Sequence, residues 1–130
     1  METNFSKIKN YLLELEYNIT TEDKEDEVFV IENENEGIKN MVLVVADPIL
    51  IIEQQLIELK SEDNDVFKQL LIKNRDIIHG ALVLDETGKK VIFRDTLQLE
   101  NLDQNELEAS IDSLSLLLSE YTDEIIEFAK

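Results

Sequence analysis

The sequence predicts an α+β fold in which one antiparallel sheet is covered by three helices. Three observations predict it. A long apolar stripe repeats at helical spacing at the C-terminal end, several short β-branched runs are joined by tight polar turns, and helical stretches fall only at set places between them. The stripe is Leu107, Ile111, Leu114, Leu118, Tyr121, Ile125 and Phe128, at alternating steps of four and three, with Leu117 widening it. Asp103 stands where it can accept hydrogen bonds from the first free amides, and Glu106 three residues on completes a capping-box-like start. Read as one helix over 104–128, this segment runs roughly 37 Å at about 1.5 Å per residue. A compact domain of this length is about 35–40 Å across. The helix therefore spans the molecule, and a flat apolar surface must cover its stripe.

The strands upstream supply that surface. Thr3 or Asn4 caps a first helix with Phe5, Ile8, Leu12 and Leu15 on one face and Tyr11 beside them. It stops near Glu16, and Tyr17 and Ile19 alternate along a short strand. The tract Glu22–Glu27 is an acidic turn, Val28–Glu32 a second strand, Asn33–Gly37 a polar hairpin turn and Ile38–Ala46 a third strand. Asp47-Pro48 ends it, because proline cannot donate to a ladder. The segment Ile49–Leu59 fits a helix through Ile49, Ile52, Leu56 and Leu59, and fits equally a strand buried on both faces. Ser61–Asp65 breaks the chain and supplies an N-cap. A second helix then carries Val66, Phe67, Leu70, Leu71, Ile77 and Ile78 and ends near His79-Gly80. Ala81–Leu84 and Val91–Leu99 pair through the turn Asp85–Gly88 as the best-marked hairpin of the chain, and Glu100–Leu102 leads into the last helix.

Composition bounds the function. With 130 residues, 43% of them hydrophobic, one domain (1–130) can bury a real core. The absence of cysteine excludes disulfides, thiolate catalysis and zinc–thiolate sites. METNFSKIKN has no apolar signal core, and no run reaches the roughly 18 apolar residues of a membrane span, so a soluble cytoplasmic protein is expected. Thirty acids against twelve bases give a net charge of −18. Glu22–Glu36 and Glu100–Lys130 carry most of it, while Lys60–Arg94, with seven bases and six acids, is nearly neutral. Such a field repels nucleic acid and anionic membranes, and it keeps a protein with adhesive surface in solution.

The stretch HGALVLDETGKKVIFRDTLQLENLDQNELEASIDSL, with DPILIIEQ before it, resembles the YbjN / Tir-chaperone-like group, related in fold to the CesT-type type III secretion chaperones. The resemblance runs over most of the chain and favours the strand reading of Ile49–Leu59. The element order read from the residues, α-β-β-β-β-α-β-β-α, is secretion-chaperone-like, and its strand at Ile49–Leu59 departs from the simpler secretion-chaperone pattern. The resemblance also implies a small acidic protein, commonly homodimeric, that binds partner polypeptides. The family has no catalytic residues or cofactor to carry over.

Local chemistry is sparse. A lone His79 cannot build a metal site, and at a helix end its positive form is favoured by the dipole. Glu32, Glu34, Glu36 and Gly37 echo a calcium loop, but its twelfth position falls on Leu43, where a bidentate glutamate is required. Arg94 and Asp95 point to opposite faces of a strand, and Asp95 is expected in an exposed cross-strand pair with Lys89 or Lys90. No phosphate loop, nucleophile elbow or zinc-helix motif occurs.

The remaining signal is apolar surface. Strands that are apolar on both registers (Leu82 with Val83, Ile92 with Phe93, Ile51 with Ile52) leave a second face to a subunit or a client, or else are central strands covered on both sides. The leading reading is a homodimeric, non-enzymatic chaperone-like or adaptor protein, without cofactor or metal, that binds a protein or peptide partner through Phe93, Ile92, Val83, Leu56, Ile57 and Leu116. On this reading Phe93→Glu abolishes partner binding or dimerisation and leaves a folded chain. The alternatives are a small-molecule- or metal-responsive regulator using the acidic turns of Glu22–Glu36, and a hydrolase using Asp85, Asp95 and His79.

Overall fold

In the computed structural model, which describes residues 2–130, the order is α1 (Asn4–Glu14), β1 (Asn18–Asp23), β2 (Val28–Asn33), β3 (Ile38–Ala46), β4 (Ile49–Glu58), α2 (Asn64–Lys73), β5 (Ala81–Leu84), β6 (Lys90–Gln98) and α3 (Gln104–Phe128). All six strands form one antiparallel sheet in the order β1-β2-β3-β4-β6-β5. Only the step from β4 to β6 skips a strand, because α2 and β5 intervene in the sequence and β5 folds back onto the outer edge of β6.

Local chemistry explains the helix starts. The Thr3 hydroxyl accepts from Ser6 N at 3.0 Å, Asp63 from Asp65 N at 2.9 Å, and Asp103 from Glu106 N at 2.8 Å. The 49–58 segment is a strand, so the β-branched run outweighs its helical spacing. α2 starts at Asn64 and stops at Lys73, short of the predicted end near His79. Asn74 explains the stop. Its amide donates to Leu82 O at 3.2 Å and accepts from Leu82 N at 2.7 Å, so the chain leaves the helix to pin β5.

Paired residues of neighbouring strands share a face, and this sorts the sheet into two surfaces. Phe29, Ile31, Met41, Leu43, Leu50, Ile52 and Phe93 are fully buried on the face beneath the helices. α1 lays Phe5, Ile8 and Leu12 there, with the Phe5 ring stacked 4.4 Å from Phe29, a pair worth about 0.5–1.5 kcal/mol beyond its area. α3 buries Leu107, Ile111, Leu114, Leu117 and Ile125, and two serines sit among them. Ser110 donates to Asp95 Oδ2 at 2.6 Å, and Ser113 donates to His79 O at 2.7 Å while accepting from His79 N at 3.2 Å. Asp95 therefore faces α3, and the exposed pair with Lys89 or Lys90 does not form: register puts it opposite Ile52, on the covered face.

Tyr17 is buried just before β1. Burial first, then the carboxylates of Glu36, Asp112 and Glu108, pushes its phenol above the ordinary value of 10.0. Above about pH 10 the unfolded chain releases a proton that the native chain keeps, so stability falls as pH rises. Tyr17→Phe is expected to flatten that fall in thermal melts taken from roughly pH 9 to 11. Tyr11 and Tyr121 are raised in the same sense and leave a residual slope.

Candidate protein-binding face

The opposite face of the sheet carries no helix. Across it run Val28 paired with Val44 and Val44 with Ile51, then Val30 with Val42 and Val42 with Glu53, then Ile92 with Val83. All of these apolar residues are half-buried. Glu53 is also paired with Arg94, and the two side chains form a salt bridge at the centre of the face. The edges of the apolar field are polar, through Thr21 and Asp23 on β1 and Thr96 on β6. The arrangement resembles a recognition surface, an apolar centre with a polar rim.

The residues singled out from the sequence divide between the two faces. Ile92 and Val83 lie side by side on the open face. Leu56 and Ile57 are half-buried at a bulge where β4 slips against β6 between Gln55 and Ile57. Leu116 projects from α3 at 49% exposure. Phe93 corrects the expectation. It is fully buried on the helical face, one residue out of register with the open surface, and closes so tightly on Gly80 that an added Cβ there would meet its ring at 2.7 Å. No partner can reach it in this fold.

No sequence signal marks Val28, Val30, Val42 and Val44, because alternating valines read as strand without saying which side is covered. A second set of exposed apolar side chains lies in the nearly neutral third of the chain: Leu71 and Ile72 on α2, Ile78 in the link that follows, and Leu84 on β5 are 69%, 45%, 74% and 41% exposed. Beside it Phe67, Leu70, Leu82 and Val91 line a groove of about 320 Å³.

The three residues of the hydrolase reading occupy different settings. His79 is exposed after α2, and Asp95 is held by Ser110 beneath α3. Asp85 sits in an exposed turn beyond the far end of β5, about 13 Å of strand from His79. There the Thr87 hydroxyl donates to Asp85 Oδ1 at 2.7 Å and, with the Lys90 and Lys89 amides, lowers its pKa. Among the described residues no three histidine, aspartate or glutamate side chains are grouped to hold a metal, and no helix is long and apolar enough to cross a membrane.

The family model CesT_Tir_1 matches residues 1–130. No curated protein matches the chain. Among solved structures, the chain is similar to YbjN from E. coli at a TM-score of 0.70 and 11% identity, covering 95% of this chain and 93% of that one. It is similar to a chain of the HopA1-SchA chaperone–effector complex at 0.63 and 14%, covering 88% and 89%. It is also similar to a chain of the Yersinia pestis type III secretion chaperone SycH in complex with a stable fragment of YscM2, at 0.56 and 14%, covering 97% and 99%. At these identities the likeness is one of fold, and it agrees with the three helices and antiparallel sheet described above.

Proposed function

The chain belongs to the CesT_Tir_1 family, and from that premise we propose a non-enzymatic chaperone-like or adaptor protein that holds a polypeptide partner against the open face of its sheet. The observation that carries the reading is the uncovered field of Val28, Val30, Val42, Val44, Ile51 and Ile92. Contiguous apolar surface of this kind marks an interaction site in a soluble domain. The fold shared with a chain of a chaperone–effector complex, and with a secretion chaperone bound to a protein fragment, supports the same reading.

The charge of −18 has a role in it. An acidic body keeps the adhesive face in solution and rejects acidic partners by repulsion. The same repulsion opposes pairing of two copies wherever the acids lie. Self-association is therefore assigned to the nearly neutral surface around Leu71, Ile72 and Leu84, leaving the sheet face for the partner.

The test is affinity capture of the tagged chain from a bacterial host, with mass spectrometry of what co-elutes and light scattering of the product. Val44→Glu, on the open face, is expected to release a stoichiometric polypeptide without changing the oligomeric mass. Leu71→Glu is expected to halve the mass and retain the polypeptide. A chain that elutes alone in every form, and remains folded, overturns the protein-binding reading.

A further inference from the structure

The sheet contains a split that its strand order conceals. The β3–β4 ladder runs from Ala46 opposite Ile49 to Val42 opposite Glu53 and stops there. Both strands continue. β3 reaches back to Ile38 while paired only with β2, and β4 runs on to Glu58 while paired only with β6. Two strand edges, Ile38–Met41 and Gln54–Glu58, thus face each other inside the sheet without a ladder between them.

One side chain bridges the split. Gln54, 5% exposed, accepts from Lys39 N at 3.1 Å through Oε1 and donates to Gly37 O at 3.0 Å through Nε2. An amide has one acceptor and one donor end, and this one makes the two bonds that the backbone of a neighbouring strand would make. Deviations of the chain hold the split open. Asn40 has φ 52 where β3 slips against β2, and β4 slips against β6 between Gln55 and Ile57. Gly37, at φ 75, lies 2.8 Å (measured from an added Cβ) from the Leu118 methyl, and Ser115 donates to Glu36 O at 2.6 Å. The start of β3 is therefore tied to α3 instead of to β4. The space left is a cleft of about 870 Å³, lined by Val42, Leu56, Ile57, Ile92, Leu118 and Ile126 among others.

We propose that this cleft receives one extended segment of the partner polypeptide, which adds as a strand along Gln54–Glu58 and takes over the hydrogen bonds now made by the Gln54 side chain. The inference rests on the protein-binding reading and deepens it. A free backbone edge selects an extended chain over other ligands, because only a strand matches its repeat of donors and acceptors. The free length of β4 is five residues, or about 17 Å, so the segment is four to five residues long. Its alternate side chains face Leu118 and Ile126 of α3, which asks for apolar residues at every second position. The outer edge at β1 is a poorer site: Asn18, Thr20, Thr21, Glu22 and Asp23 make it polar and acidic.

The test uses an acetylated, amidated peptide of alternating valine and threonine with terminal lysines. Its control replaces the central valine with proline, and 0.3 M salt, on the order of three times the ionic strength that sets a 10 Å Debye length, suppresses charge attraction. Residue-resolved hydrogen exchange is expected to slow about tenfold at amides of Gln55–Ile57 with the valine peptide and to be unchanged with the proline control. Gln54→Ala, which removes the competing amide, is expected to tighten binding about fivefold. Ile126→Trp, at a position 50% exposed, is expected to block binding and keep the fold. Protection confined to β1 or to β5, equal binding of the proline control, or no binding of the valine peptide overturns the proposal. Val44 lines this cleft as well as the open face, so release of the captured partner by Val30→Glu, outside the cleft, is read separately, and the cleft can fail while the protein-binding face stands.

Discussion

Phe93→Glu is expected to leave no folded chain, and Phe93→Ala is expected to cost about 3–5 kcal/mol. Phe93 is completely buried, its ring lies against the backbone at Gly80, and its strand partners Gln54 and Leu82 are buried beside it. Truncation removes a large apolar side chain and leaves a void between sheet and helices. A glutamate in the same place adds the desolvation of a charge with no cationic partner close by. Together these match the whole stability of a domain this size, about 5–15 kcal/mol. The neighbouring Ile92→Glu is expected to fold, since Ile92 is half-buried on the open face beside Val83, and to lose the partner instead. Urea unfolding of the two variants, with partner capture on whichever fold, reads the difference. A folded Phe93→Glu chain would show that the register of β6 is misassigned.

That pair of residues also marks what the sequence could and could not tell. The element order was legible because each helix carries its own stripe and each hairpin its own turn. Asp103 and Glu106 start α3, and the Asp85–Gly88 turn closes β5 onto β6. Which face the helices cover was not legible. Ile92 and Phe93 are both apolar and both suit a strand, and only pairing across the sheet, Gln54 opposite Phe93 and Gln55 opposite Ile92, decides which of them turns inward. Polar residues misled in the same way. Ser110 and Ser113 interrupt an apolar stripe and look like solvent positions, yet both are buried, because each meets a polar group from a distant segment, Asp95 and the backbone of His79. The split between β3 and β4 had no sequence signal beyond Gln54, the middle of three polar residues, Glu53-Gln54-Gln55, between isoleucines and leucines, whose role depends on a backbone fifteen residues away.

Glu124→Gln is expected to cost more than Lys73→Met, an inversion of what exposure alone suggests. Lys73, in the last turn of α2, is 6% exposed, while the Glu124 side chain is 56% exposed. The lysine ammonium bonds the Glu124 carboxylate and lies 4.8 Å from the centre of the Tyr121 ring and 5.6 Å from that of Phe128. Two ring faces and one carboxylate make a site for a cation, and the aliphatic stem packs with them. Removing the carboxylate's charge leaves the ammonium buried with only the rings, at about 2–3 kcal/mol, below the full penalty of a deeply buried pair because the glutamate is partly in water. Replacing the lysine with methionine keeps the volume, removes the charge that needed a partner, and leaves Glu124 free to be solvated, at about 1 kcal/mol. The double variant is therefore expected to be more stable than Glu124→Gln alone. A thermal melt of the four chains tests this, with roughly 8 °C between the native chain and Glu124→Gln for 130 residues. The same contact holds the C-terminal half of α3, where Leu118 and Ile126 line the cleft beside β4. Glu124→Gln is thus also expected to speed amide exchange over residues 121–128 and to weaken peptide binding there, whereas Lys73→Met in the double variant restores both.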